Sequence, residues 1–215
     1  MPRAYRAMPP ALAEVHSLLW ADVSALFQRW TTFGALYCDR EAVDVLNWTA
    51  GGFFALLQRV LLDDIYLGIA RLADPPSTGR HSNLVLASLL PHVPSEGDLG
   101  AECERLIHLY DSQATFARAM RHKLLAHRDH SVATGNSDAV DFFVSPEQIR
   151  LALAAAADVL NYLDRTLEQR TTVFSEFVHL KGAETLLARL PRARELDAEF
   201  YRRKLDSSDG GARAV

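Results

Sequence analysis

Apolar residues recur along this chain at three- and four-residue spacing, and stretches that alternate apolar with polar are nearly absent, so the pattern specifies helices and leaves no material for an extended sheet. An all-α fold follows. Leu12, Val15, Leu19, Val23 and Leu26 mark a first helix over about residues 11–30, closed by Thr31, Thr32 and Gly34. A short helical turn over 41–46 leads to a long helix over about 49–73. Its positions Phe53, Phe54, Leu56, Leu57, Val60, Leu61, Ile65, Leu67, Ile69 and Leu72 leave little polar surface, which predicts a central helix packed on several sides. Asp74-Pro75-Pro76-Ser77-Thr78-Gly79 stops it, because proline disfavours helix at the preceding residue and brings no backbone donor.

A short helix near 83–90 is followed by a second long one over 99–128, with a break expected near Asp111. Residues 131–144 lose the period. Ser145-Pro146-Glu147-Gln148 then reads as a helix start, with serine at the cap, proline at the first helical position and glutamine where a capping box needs it, and this helix is expected to reach about Phe174. The sequence thereafter is shorter in period and more charged. Lys181-Gly182 is accordingly the expected boundary between a helical domain over 1–180 and an extension over 181–215, with helices near 183–190 and 195–205 and a disordered tail over 206–215.

With 49% apolar residues in 215, the chain can bury a sizeable core, which excludes a disordered or collagen-like protein. Two cysteines, Cys38 and Cys103, lie far apart without a C-x-x-C spacing, so neither a disulfide scaffold nor a cysteine-built zinc site is indicated, and a reducing, cytoplasmic setting is expected. Glu14, His16 and Asp22 interrupt any leader-like apolar run near the start, and Gln58, Arg59, Asp63 and Asp64 break up the most apolar stretch, so no membrane partner is expected. The formal charge of −4 means that contact with nucleic acid would have to come from a local basic patch.

Such a patch lies at 118–130, where eight of thirteen residues are charged or histidine: Arg118, Arg121, His122, Lys123, His127, Arg128, Asp129 and His130. A solvated helix end has the same look, since the dipole favours cations at a C-terminus. Two details point further. Arg121 and His127 are six residues apart, about 120° around an ideal helix, so they bracket one site only if the helix ends between them or a second subunit contributes. His127 also continues the stripe Ala117, Met120, Leu124, at the edge of a packed surface that can tune an imidazole across neutrality.

The string Arg121-His122-x-x-x-x-His127 resembles the arginine, polar residue, four variable residues, histidine motif of HEPN domains, which are common in prokaryotic toxin–antitoxin and antiviral defence systems. Its continuation, Arg121-His-Lys123-Leu-Leu-Ala126-His127-Arg128-Asp129, is similar to the abortive-infection (AbiU-like) branch, as is Arg71-Leu72-Ala73-Asp74 to the arginine–leucine–x–aspartate that ends an earlier helix there. The resemblance covers about residues 10–175. His122 departs from it, standing where asparagine is commoner and adding a titratable group.

The resemblance implies a HEPN-like bundle and a metal-independent endoribonuclease, with no cofactor and no metal. Arg121 and His127 would be catalytic; His122, Lys123, Arg128 and Asp129 would contact RNA or support the site. Arginine can donate two parallel hydrogen bonds to phosphoryl oxygens, and a histidine titrating near neutrality can move a proton. It further implies a homodimer in which two copies of this helix line one composite cleft, and a cognate antitoxin protein as a partner. Many HEPN relatives keep the fold without cleavage, so a catalytically inactive module that binds a partner protein or RNA is the alternative.

Other features read more plainly. His127 and His130, three apart, lack the carboxylates a metal site would want. Arg71 is spaced to pair with Asp74 one turn on, with Asp64 out of reach two turns behind, an arrangement expected of a structural ion pair. Arg189, Arg192, Arg194, Arg202, Arg203 and Lys204 suggest a nucleic-acid-binding regulator, but Glu195, Asp197 and Glu199 are interleaved with them and favour a solvated amphipathic face. Trp20, Trp30 and Trp48 are expected to anchor the core or an interface.

Overall fold

The computed structural model describes residues 5–94, 97–122, 144–176 and 182–209, with the side chains of 194, 197, 201 and 203–209 excepted. Six α-helices are present among them: α1 (Pro10–Tyr37), α2 (Arg40–Leu72), α3 (Leu99–Gln113), α4 (Thr115–Met120), α5 (Pro146–Glu168) and α6 (Ala183–Asp209). Two 3₁₀ turns, Leu86–His92 and Phe174–Glu176, and one small hairpin pairing Ser77–Thr78 with His81–Ser82 complete the described elements. None of the described helices is long and apolar enough to cross a membrane.

Local chemistry accounts for several of these boundaries. Ser145 caps α5 as its sequence predicts, its hydroxyl accepting from the Gln148 amide at 3.3 Å while the Gln148 side chain takes the Ser145 amide at 2.9 Å. The α5 helix stops at Glu168, six residues earlier than its periodicity suggests, because Gln169 turns into the left-handed region at φ 53°. Asp39 starts α2 by accepting from the Ala42 amide at 2.9 Å. As the sequence predicts a turn and then a separate helix, α2 consists of two helical stretches that meet at a kink, at the non-helical Ala50 just before Gly51 and Gly52. The expected break near Asp111 falls at Ala114, between α3 and α4. Beyond 182, one helix replaces the two expected, running through Pro191 to Asp209.

The chain divides into two compact units. The first comprises Met1–Arg29 and Leu62–Phe177. Its buried residues include the predicted positions Leu12, Leu19, Val23 and Leu26 of α1 and Ile65, Ile69 and Leu72 of α2, together with Leu106, Ile107 and Tyr110 of α3 and Ile149, Leu153, Leu160 and Leu163 of α5, with α3 packed along α5. Gly68 is required on α2, since a Cβ there would stand 2.3 Å from the buried Leu26 Cδ2. The second unit comprises Trp30–Leu61 and Val178–Val215. Its core joins Leu36, Leu46, Phe54 and Ala183 to Leu187 and Leu190, and Tyr37 donates to the Phe54 carbonyl at 2.9 Å. The α2 helix is not covered all round, as its composition led one to expect: Phe53, Leu56 and Val60 are each more than half exposed.

A polar network fastens the start of the first unit. His16 is fully buried, and its Nε2 donates to the Leu160 carbonyl at 3.2 Å, while its Nδ1 lies 2.8 Å from the Tyr5 hydroxyl. Asp164, also fully buried, lies 3.8 Å from His16 Nε2 and accepts from Arg170 Nε at 3.1 Å, while the Arg170 guanidinium covers the Tyr5 ring. Next to it Glu168 accepts the amides of Arg6, Ala7 and Met8 at 2.7–3.0 Å.

Partial burial works against the Glu168 carboxylate, but those three amides and Arg170 outweigh it and hold its pKa below the ordinary value. A depressed folded-state pKa contributes stability that is complete above the unfolded value of about 4.3 and is lost as pH falls through the folded one. The protection of the amides of residues 6–8, taken against the intrinsic exchange rate at each pH, is therefore expected to fall on acidification, and Glu168→Gln to abolish that dependence. Unchanged protection of these amides down to pH 2 would contradict the arrangement.

Candidate active site

The α2 helix ends at Leu72, and two tight backbone bonds, Ala73 amide to Ala70 carbonyl and Asp74 amide to Arg71 carbonyl, turn the chain before Pro75. This overturns the expected Arg71–Asp74 pair. Once the helix has stopped, Asp74 no longer sits one turn on from Arg71, and the two side chains find separate partners. Arg71 Nη2 donates to Asp22 of α1 at 3.0 Å, whereas Asp74 accepts from Arg121 Nη1 at 2.7 Å. Asp64, two turns back, pairs with Arg29.

The Asp74–Arg121 bond unites the two sequence strings that carry the family resemblance, forty-seven positions apart. Both partners are only partly buried: the Arg121 side chain is 36% exposed and that of Asp74 23%. Asp74 is the one acceptor of this guanidinium among the described residues, and it engages a single nitrogen. The Nε–Nη2 edge, the fork that fits two oxygens of a phosphoryl group, is not used by that bond. The hydrogen bond to Asp74 raises the Arg121 pKa against a smaller opposing effect of burial, so the cation is permanent.

Arg121 stands where α4 has just ended at Met120, and with His122 it lies in a wider, π-type turn. His122 is exposed. His127, Lys123, Arg128 and Asp129 lie outside the described residues, as does His130.

Tyr110, fully buried on α3 and near Asp74, donates its hydroxyl to the Ile69 carbonyl of α2 at 2.6 Å. Burial raises its pKa most, the nearby carboxylates of Asp111 and Asp74 add to the rise, and Arg118 opposes it. Tyr110 therefore ties the end of α3 to the last turn of α2, two residues before the turn that delivers Asp74. Arg118 of α4 donates through Nη2 to the Asp111 carbonyl at 2.7 Å, with the Asp111 carboxylate 3.5 Å away. Asp111 and Tyr110 carry no motif and escape a reading by pattern; the break after α3 is the only local signal that this corner is built for a purpose.

No group of three or more metal-ligating side chains occurs among the described residues. Cys103 is buried, which pushes its thiol up to about 11, and Cys38 is exposed.

A model of the HEPN-type family described as AbiU2 matches residues 9–186 of the chain. No curated protein and no solved structure matches it.

Proposed function

We propose, on the premise that the chain belongs to the HEPN-type AbiU2 family, that it is an endoribonuclease of an abortive-infection or toxin–antitoxin system, cutting RNA without a metal in the cytoplasm. The observation that carries this reading is the Asp74–Arg121 bond, which brings the two family strings to one partly exposed corner and holds a permanent cation by one nitrogen. A purely structural arginine would be expected to spend its fork on its carboxylate; this one keeps an edge for another pair of oxygens.

Three tasks define the chemistry. The 2′-hydroxyl must lose a proton as its oxygen attacks the adjacent phosphorus, the phosphoryl oxygens gain charge, and the departing 5′-oxygen must receive a proton, leaving a 2′,3′-cyclic phosphate and a free 5′-hydroxyl. Arg121 takes the phosphoryl oxygens. His127 moves a proton as general base or acid, with Asp129 orienting a neighbouring group. His122, Lys123 and Arg128 contact the flanking backbone. One chain supplies one arginine and one histidine, so a homodimer that pairs two such helices completes the cleft, and a cognate antitoxin protein would be its natural restraint.

The decisive assay incubates the purified full-length protein with mixed RNA in EDTA and analyses the product ends. Cyclic phosphates at new 3′ ends are expected. RNA that is bound but left intact would instead assign the chain to the non-cleaving binding modules of the superfamily.

Asp74 is a positioning residue in this scheme. Asp74→Asn keeps a hydrogen-bond acceptor but removes the charge that anchors the guanidinium, and is expected to lower the cleavage rate at saturating RNA about tenfold with little change in KM. A rise in KM alone would show that Asp74 acts on binding and not on the geometry of the reacting phosphate.

A further inference from the structure

Arg118 of α4 precedes Arg121 by three residues, so the two guanidinium-bearing side chains are neighbours along the last turn of α4 and the π-type turn that follows it. Each is held by one terminal nitrogen, Arg121 to the Asp74 carboxylate and Arg118 to the Asp111 backbone carbonyl. We infer that Arg118 is a second phosphate contact, taking the backbone phosphate next to the scissile one on a single RNA strand. The inference rests on the ribonuclease reading above and extends it to the substrate, which becomes a strand held at two successive phosphates and not an isolated phosphodiester.

Three observations carry it. The spacing of the two arginines is on the scale that separates consecutive phosphates of one strand. The Arg118 side chain is 37% exposed, so it is within reach of a ligand. And its link to Asp111 is a poor ion pair: the close bond goes to the backbone carbonyl, the carboxylate is reached only at 3.5 Å, and the buried Nε has no acceptor among the described residues. If Arg118 merely clamped α3 to α4, its Nε and Nη2 would be expected to grip both Asp111 oxygens, as Arg105 grips Glu102 and Arg150 grips Glu147. Its Nη1 makes no hydrogen bond among the described residues, so the exposed part of the guanidinium keeps a donor for an anion. Asp111 beside it offsets the positive charge while no strand is bound.

The test uses a single-stranded 2′-O-methyl oligonucleotide, which lacks the nucleophile and cannot be cut, with affinity to the full-length protein measured by fluorescence anisotropy across a salt series. Arg118→Gln is expected to weaken binding about threefold to tenfold and to make the dependence of log affinity on log salt shallower by about 0.7, the contribution of one phosphate contact on a single strand. Arg118→Lys should keep the steeper slope. Asp111→Asn should tighten binding in the wild-type background and do nothing when combined with Arg118→Gln. Thermal unfolding of each variant guards against a loss of fold, and Arg118→Lys with Asp111→Asn remains informative if the glutamine variant does not fold.

An unchanged slope in Arg118→Gln, or equal effects of Asp111→Asn in both backgrounds, would overturn the inference. Cleavage of unmodified RNA by the wild-type protein alongside such a result would leave the ribonuclease reading standing. Oligonucleotide binding with the expected slopes but no cleavage would do the reverse, and a wild-type protein that binds no strand would reject both.

Discussion

Arg121→Ala and His127→Ala are each expected to lower RNA cleavage about a thousandfold, with no loss of thermal stability in His127→Ala. Removing the arginine withdraws the permanent cation that Asp74 holds just beyond α4, and charge developing on the phosphoryl oxygens then loses that partner. Removing the histidine takes away the group proposed to move the proton. The two losses should not multiply in the double variant, because residues that act on one transition state act as a unit. Cyclic phosphate ends should vanish with each. Mixed heterodimers of the two single variants provide the sharper measurement: a composite cleft with two copies of each group predicts partial recovery of activity, whereas none would show that both groups are needed from the same chain. Cleavage that survives in both variants would end the proposed mechanism.

Asp164→Ala is expected to destabilise the protein by about 3 kcal/mol, the low end of the cost of breaking a buried ion pair, because Arg170 keeps some contact with solvent. For a chain of this size that corresponds to a fall in Tm of roughly 6–12 °C. Asp164 is fully buried at the end of α5, accepts from Arg170, and stands beside His16, which in turn holds Tyr5. Its removal takes from the Arg170 guanidinium the buried carboxylate that accepts from Nε and opens a space beside His16. Asp164→Asn, of the same shape, should recover part of the loss. A change below 1 kcal/mol in the alanine variant would show that the network is ornamental to stability. RNA cleavage at temperatures below the transition should be unaffected, as none of these residues approaches Arg121 in sequence or contacts it.

His16 shows how far a pattern can be read. It falls on the stripe Leu12, Leu19, Val23, Leu26 at helical spacing, so its burial was legible; that a buried imidazole needs partners is general chemistry. The identity of those partners was not, since Leu160 and Asp164 lie about 150 positions away and no local rule selects them. The Ser145 capping box lies at the other extreme. Its two bonds span three residues, and the sequence specifies them completely. The candidate site stands between. Arg121 and Asp74 both appear in motifs, but helical spacing assigned Asp74 to Arg71, and only the early stop of α2 released it to a residue on another helix.

By itself, then, the order of residues determined the helices, most of their caps, the buried stripes and the family, because each depends on periodicity or on groups a turn apart. The folded chain decided which charges meet. Ion pairs are chosen by where helices end and pack, and a one-residue difference in a helix end redirects a side chain to a partner that no spacing rule contains. The corner of Tyr110, Asp111, Arg118, Asp74 and Arg121 exists only because three helices terminate around it.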